Sequence, residues 1–211
     1  MKDFDRRFYD GQEFRALEDN SEKVIEGHAA VFDVKTAIGD WFYEVIDRGA
    51  FDDCDFTDVA LFINHDWGQV PLARSRRNNG NSTMTLSVDD VGLKIRAKID
   101  VENNPDAKTL YSAVERGDLT GMSFAFRVDS EEWQDLESEM PTRRIKKISR
   151  VFEVSACTYP AYEDTDIHAR DKSTLENAKR ALDNARAQSL DNDKSNELEL
   201  LLLKNIIFGG I

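Results

Sequence analysis

Met84, Leu86 and Val88 alternate with polar residues, and the alternation resumes at Leu93, Ile95, Ala97 and Ile99 after Asp89-Asp90-Val91-Gly92. A period of two puts every second side chain on one face, so these runs read as a hairpin with one buried side. Runs at 12–18 and 23–32 flank the polar cluster Glu18-Asp19-Asn20-Ser21-Glu22 and predict a second hairpin. Trp41 to Ile46 is an aromatic and β-branched run that stops at Asp47-Arg48-Gly49. Val59 to Ile63 is apolar throughout, as a strand covered on both faces is. Met122, Phe124, Phe126 and Val128 alternate with small or polar residues, and Ile145 to Tyr159 is a long β-like run ending at Pro160. Residues 129–142 between them read as a polar loop anchored by Trp133.

The period changes at Asn104-Pro105, a capping side chain followed by a proline at the first helical position. Ala107, Leu110, Tyr111 and Val114 then recur at helical spacing, and Gly117 can close the helix in the left-handed conformation. A helix over about 105–116 follows. About seven strands and one central helix fit an antiparallel barrel, a sandwich or an α+β fold.

Composition shifts near residue 168, which divides the chain into a β domain over 1–168 and a helical tail over 169–211. Ser173-Thr174-Leu175-Glu176 and Asn196-Glu197-Leu198-Glu199 each resemble a helix start. Leu175, Ala178, Leu182 and Ala185 form a narrow helical seam that fails at Ser189 and Asn192. Two helices are expected, over about 173–190 and 196–208. Short helices are marginal alone in water. The tail therefore needs a partner: a scaffold protein, a second copy in a homo-oligomer, or its own β domain.

Several function classes lose their signatures. The 28 basic and 41 acidic residues leave a net charge of −13, which opposes binding to nucleic acid or to an anionic membrane. No apolar run approaches the ~20 residues of a bilayer span, and Met1-Lys2-Asp3-Phe4-Asp5-Arg6 holds no secretory apolar region. A cytoplasmic chain with reduced Cys54 and Cys157 is expected. Neither a phosphate loop, nor a zinc-binding helix motif, nor a cysteine-pair metal site is present, so no cofactor and no metal are expected.

Serines are common here, so only strand geometry can select a nucleophile. His65 ends the apolar 59–63 run against polar neighbours, at the border of core and solvent. It reads either as a capping histidine or as a general base, since an imidazole titrates near ~6.5. His28 lies inside a strand, and His168 opens the polar tail. Ser123 has the opposite parity to Met122, Phe124 and Phe126, so it looks away from the aromatic core beside small Ala125. A hydroxyl nucleophile needs a base in reach. Glu153 stands among Val151, Phe152 and Val154, where an ionised carboxylate must be paired. It serves either an ion pair with Arg127 or Arg150, or the orientation of His65 in a triad. Cys157 shares the parity of Glu153 and reads as a small buried hydrophobe or, less simply, as a thiol nucleophile.

Six blocks of the sequence, in order, resemble one family. They are Ile25-Glu26-Gly27-His28-Ala29-Ala30-Val31-Phe32-Asp33, Glu44-Val45-Ile46-Asp47-Arg48-Gly49-Ala50-Phe51, Leu61-Phe62-Ile63-Asn64-His65-Asp66, Asp90-Val91-Gly92-Leu93, Arg116-Gly117-Asp118-Leu119-Thr120-Gly121-Met122-Ser123-Phe124, and Glu153-Val154-Ser155-Ala156-Cys157-Thr158-Tyr159-Pro160-Ala161-Tyr162. Together they are similar to the serine proteases that mature tailed-bacteriophage proheads, distant relatives of the herpesvirus capsid-maturation proteases. The likeness covers about residues 12–167.

That resemblance implies a mainly β, α+β fold, with a closed antiparallel β-barrel of about seven strands surrounded by helices. It also implies His65, Ser123 and Glu153 as the catalytic residues of a serine endopeptidase. The implied partner is the major capsid protein or its scaffold segment, met inside the prohead in the host cytoplasm. The turn at Thr158 to Tyr162 is the implied oxyanion site, and self-cleavage of the tail is a further implication. Two alternatives stand beside this reading: a non-enzymatic capsid scaffold or assembly factor on the same fold, and a cysteine hydrolase using Cys157.

Overall fold

The computed structural model describes residues 5–10, 14–158 and 169–208. Its elements in chain order are β1 (Asp5–Asp10), β2 (Arg15–Asp19), β3 (Glu22–Val31), β4 (Thr36–Ile38), β5 (Phe42–Ile46), β6 (Val59–Ile63), β7 (Ala73–Ser75), β8 (Met84–Val88), β9 (Gly92–Lys98), α1 (Pro105–Glu115), β10 (Gly121–Gln134), β11 (Thr142–Cys157) and α2 (Ala169–Phe208).

Among the described residues these strands form two open sheets, not a closed barrel. One sheet has seven strands in the order β1-β10-β11-β5-β4, with β6 joined to β11 and β7 joined to β6. The other has four in the order β2-β3-β9-β8. Closing a barrel requires the two edge strands to pair. Here no ladder joins the edge strands of the two sheets, and β4 and β7 are only three residues long. Nor is every pairing antiparallel. The long β11 takes β5 in parallel along Thr142–Ile145 and β6 in parallel along Glu153–Ala156. The segment between β5 and β6 carries one parallel bridge, from Asp55 to Arg150.

The sheets are held face to face by one apolar cluster. Ile25, Leu93 and Ile95 from the small sheet meet Met122, Phe124 and Phe126 from the large one. Hairpins set much of the register. Asn20 and Ser21 both have positive φ, the geometry of the two-residue turn that joins β2 to β3. Gly92 begins β9 where a Cβ would lie 2.0 Å from the Ala30 carbonyl oxygen, so only glycine lets β9 approach β3 there.

Helix α1 is capped as its sequence demands. The Asn104 side chain accepts from the Asp106 N–H at 3.0 Å and the Ala107 N–H at 3.3 Å. Gly117 has a φ of +74° and donates to the Val114 carbonyl.

Two segments depart from the sequence reading. Half of the 129–142 loop, 129–134 with Thr142, extends the β10–β11 hairpin, which is closed across its strands by Arg143 to Glu131 at 2.7 Å. Register shifts between Ala125 and Glu131 turn its side chains, so simple alternation does not reveal it. The tail is one helix of 40 residues, about 60 Å long, with no break at Asn192. Ala178 and Leu182 are buried, with Leu175 and Ala178 against Ile38, Phe42 and Trp133. Farther along, Arg186 donates to the Leu136 carbonyl at 3.0 Å.

Strand β1, beside β10, carries buried charges into the large sheet. Arg7 donates to Glu44 Oε2 at 2.6 Å, and Arg143 donates to the same oxygen at 3.0 Å. Breaking such a buried pair by removing one partner costs about 3–5 kcal/mol.

Candidate active site

Three strands and one turn bring the site together. Across the large sheet, Ser123 on β10 lies opposite Ser155 on β11, and Ser155 lies opposite Phe62 on β6. Strand alternation places Ser123, Glu153, Ser155 and Cys157 on one face. Met122, Phe124, Val154 and Ala156 occupy the other face, within the core. Sequence parity therefore places Ser123 away from the aromatic cluster, as expected. It is nonetheless buried, at 2% exposure, because the opposite face of the sheet is covered too.

His65 reaches this face from a turn. Asn64 and His65 have φ of +49° and +58°, and the Asp66 N–H donates back to the Ile63 carbonyl at 3.1 Å. That is a tight reversal with two consecutive left-handed residues, a conformation asparagine tolerates and histidine adopts at a cost. Several bonds hold it. The Asn64 N–H donates to the Ala156 carbonyl at 3.0 Å, and Asn64 Oδ1 accepts from the Thr158 N–H at 3.0 Å. The His65 N–H donates to Ser155 Oγ at 3.2 Å.

The ring is held as firmly as the backbone. His65 Nδ1 hydrogen-bonds Glu153 Oε1 at 2.5 Å, and the Ser155 hydroxyl donates to Glu153 Oε2 at 2.6 Å. The side chain of Glu153 is 1% exposed and that of His65 is 10% exposed. An ionised carboxylate there accepts from Nδ1–H, and the neutral tautomer so chosen carries its acceptor at Nε2. The alternative partners of Glu153 are engaged elsewhere: Arg127 and Arg150 both lie over the Phe152 ring, at 5.1 and 5.2 Å.

Cys157 is a poor nucleophile here. Burial, reinforced by the Glu153 charge, pushes its thiol up to about 12, and its Sγ faces the Ser155 carbonyl at 3.9 Å. Both cysteines are free. His28 is buried in β3 and bonds Asp89 at 3.0 Å, remote in register from β10 and β11. His168 and residues 159–162 of the anticipated oxyanion turn lie outside the described residues. No cluster of three or more metal-ligating side chains occurs among the described residues, and no described helix is long and apolar enough to cross a membrane.

Sequence reasoning missed Ser155 as a site residue. Its signal was available: it shares parity with Glu153 on the same strand.

Comparison with known proteins bears on this arrangement. A family model described as the caudovirus prohead serine protease matches residues 11–181. The prohead protease of Enterobacteria phage HK97 is 30% identical over 165 residues, which are 76% of this chain and 66% of that relative. The solved capsid assembly protease of bacteriophage T4 overlaps 74% of this chain and 97% of its own, at 12% identity and a TM-score of 0.43.

Proposed function

Because the chain belongs to the caudovirus prohead serine protease family, we propose that it is a Ser-His-Glu endopeptidase that cleaves the scaffold portion of its capsid protein inside the prohead. The observation that supports this most is the buried Glu153 carboxylate held against His65 Nδ1. A scaffold protein on the same fold has no reason to retain both His65 and Ser123.

In this reading the Ser123 hydroxyl turns toward His65 Nε2 and attacks the peptide carbonyl. Nε2 takes the proton, and Glu153 stabilises the imidazolium. The tetrahedral intermediate collapses as Nε2–H protonates the leaving amine. Water, activated by the same nitrogen, releases the acyl group from Ser123. Backbone N–H groups must hold the oxyanion, each contributing about 10²–10³ in rate. The Thr158 N–H is committed to Asn64 and is not one of them.

Residues 1–168 carry the protease and residues 169–211 the tail. In this proposal the tail beyond the contact of Ala178 and Leu182 docks the enzyme on the scaffold, which raises its local concentration. It is also a candidate for self-cleavage.

Coexpression of this chain with its capsid protein, read on a gel, tests the assignment. The wild type should process the capsid protein and the folded Ser123→Ala variant should not. Processing by Ser123→Ala at the wild-type rate would overturn it. A chain ending at residue 190 should process a peptide normally but enter fewer proheads, and normal entry would reject docking.

A further inference from the structure

Ser155 closes a ring of three hydrogen bonds, and with Glu153 ionised the direction of each follows. The backbone N–H of His65 can only donate, so Ser155 Oγ is its acceptor, at 3.2 Å. An ionised Glu153 can only accept, so the single Ser155 proton goes to Oε2, at 2.6 Å. With one carboxylate oxygen so occupied, Glu153 turns Oε1 to the Nδ1–H of His65. The same histidine thus enters the ring twice, through its backbone and through its imidazole. Ser155 is fully buried, at 0% exposure, so no water replaces its hydroxyl without rearrangement.

From this geometry we propose that Ser155 is a positioning residue of the proteolytic site. Its hydroxyl ties the left-handed His65 turn to the Glu153 carboxylate and so selects the Nδ1–H tautomer of the ring. It touches no substrate and acts only through Glu153 and His65. The inference rests on the assignment of His65 and Ser123 given above.

The experiment separates the two claims. The rate of Ser123 labelling by a fluorophosphonate reads the base without any need for a known cleavage sequence. Ring ¹⁵N resonances of His65 read the tautomer without any need for activity. Ser155→Ala should remain folded and label about 10- to 100-fold more slowly, the range expected on losing a hydrogen bond to a charged group. Its His65 resonances should change from one tautomer to a mixture. Ser155→Thr keeps the hydroxyl and should recover most of the labelling rate and the single tautomer. Ser155→Ala with wild-type labelling and an unchanged tautomer would overturn the proposal, as would an equal loss in Ser155→Thr. If Ser155→Ala does not fold, Ser155→Cys serves, and wild-type labelling with an unchanged tautomer there also overturns it. Labelling that persists in Ser123→Ala would instead sink the protease assignment while leaving the resonance test of Ser155 intact.

Discussion

His28 and His65 each hydrogen-bond a carboxylate, and the two pairs are built in opposite ways. His28 is itself buried, at 2% exposure, while its partner Asp89 is 39% exposed. At the other pair the carboxylate of Glu153 is the buried member and the histidine lies nearer the surface. The chain geometry differs as well. His28 sits within a continuous strand, where its Nδ1 is buried without a hydrogen-bond partner. His65 sits on a turn, with its backbone N–H and its Nδ1 both engaged. Asp89 belongs to its turn as much as to His28. Burial pushes its carboxyl up, but bonds from His28 and from the N–H groups of Gly92 and Val91 outweigh that and hold it down at about 2. Glu153 accepts no backbone N–H in the bonds described on it and reaches the His65 turn only through Ser155 and the imidazole. A buried carboxylate costs several kcal/mol unless paired, and the groups described on it, Ser155 and His65, both belong to the candidate site. The lesson is that a histidine–carboxylate contact carries little information until one asks which partner is buried and what else holds it.

The largest expected contrast comes from replacing each histidine by alanine. His65→Ala should reduce fluorophosphonate labelling of Ser123 by about 10⁴ or more, since triad members act as a unit. Its melting temperature should fall as well, because the buried Glu153 carboxylate loses a partner. His28→Ala should label within twofold of the wild type and lose about 1–3 kcal/mol, through a lost bond and a cavity. Equal labelling losses in both variants would erase the distinction.

Exchanging each carboxylate for its amide sharpens the same point. Glu153→Gln should remain folded and label about 10²–10⁴ more slowly, because the amide neither fixes the tautomer nor neutralises an imidazolium. Labelling at the wild-type rate would make Glu153 a structural residue.

Asp89→Asn should leave labelling unchanged and cost below about 1 kcal/mol at pH 7, given the exposure of Asp89. The sign of its pH dependence follows from the lowered pKa. A carboxyl at about 2 when folded and near ~3.9 when unfolded stabilises the fold above pH ~4. That contribution fades as pH falls toward 2. Denaturation from pH 7 to pH 2.5 should therefore show the gap between wild type and Asp89→Asn narrowing. A gap constant over that range would show that its charge contributes nothing.

The smallest effect is expected at the thiol beside the Glu153 pair. Burial pushes Cys157 up to about 12, so it stays protonated near neutrality. Treating the folded protein with iodoacetamide at pH 8 should leave its labelling rate intact. Loss of labelling in step with alkylation of Cys157 would revive the thiol as a participant.

The sequence by itself determined what depends on local order. Alternation located β8 and β9, an unbroken apolar run located β6, the Asn104-Pro105 cap located α1, and parity put Ser123 off the aromatic face. These are properties of neighbours a few residues apart, where pleat and helical pitch dictate direction. What lies far apart in sequence was decided only by the tertiary structure. Nothing local shows that β11 takes β5 and β6 in parallel, or that the sheets stay open, because strand partners are chosen over the whole chain. The extended hairpin arm escaped because its bulges break the period. His65 and Glu153 are 88 residues apart, and their contact exists because β6 ends beside β11. Ser155 was readable as a neighbour of Glu153, but its tie to the His65 backbone required the left-handed turn, which only the folded chain enforces.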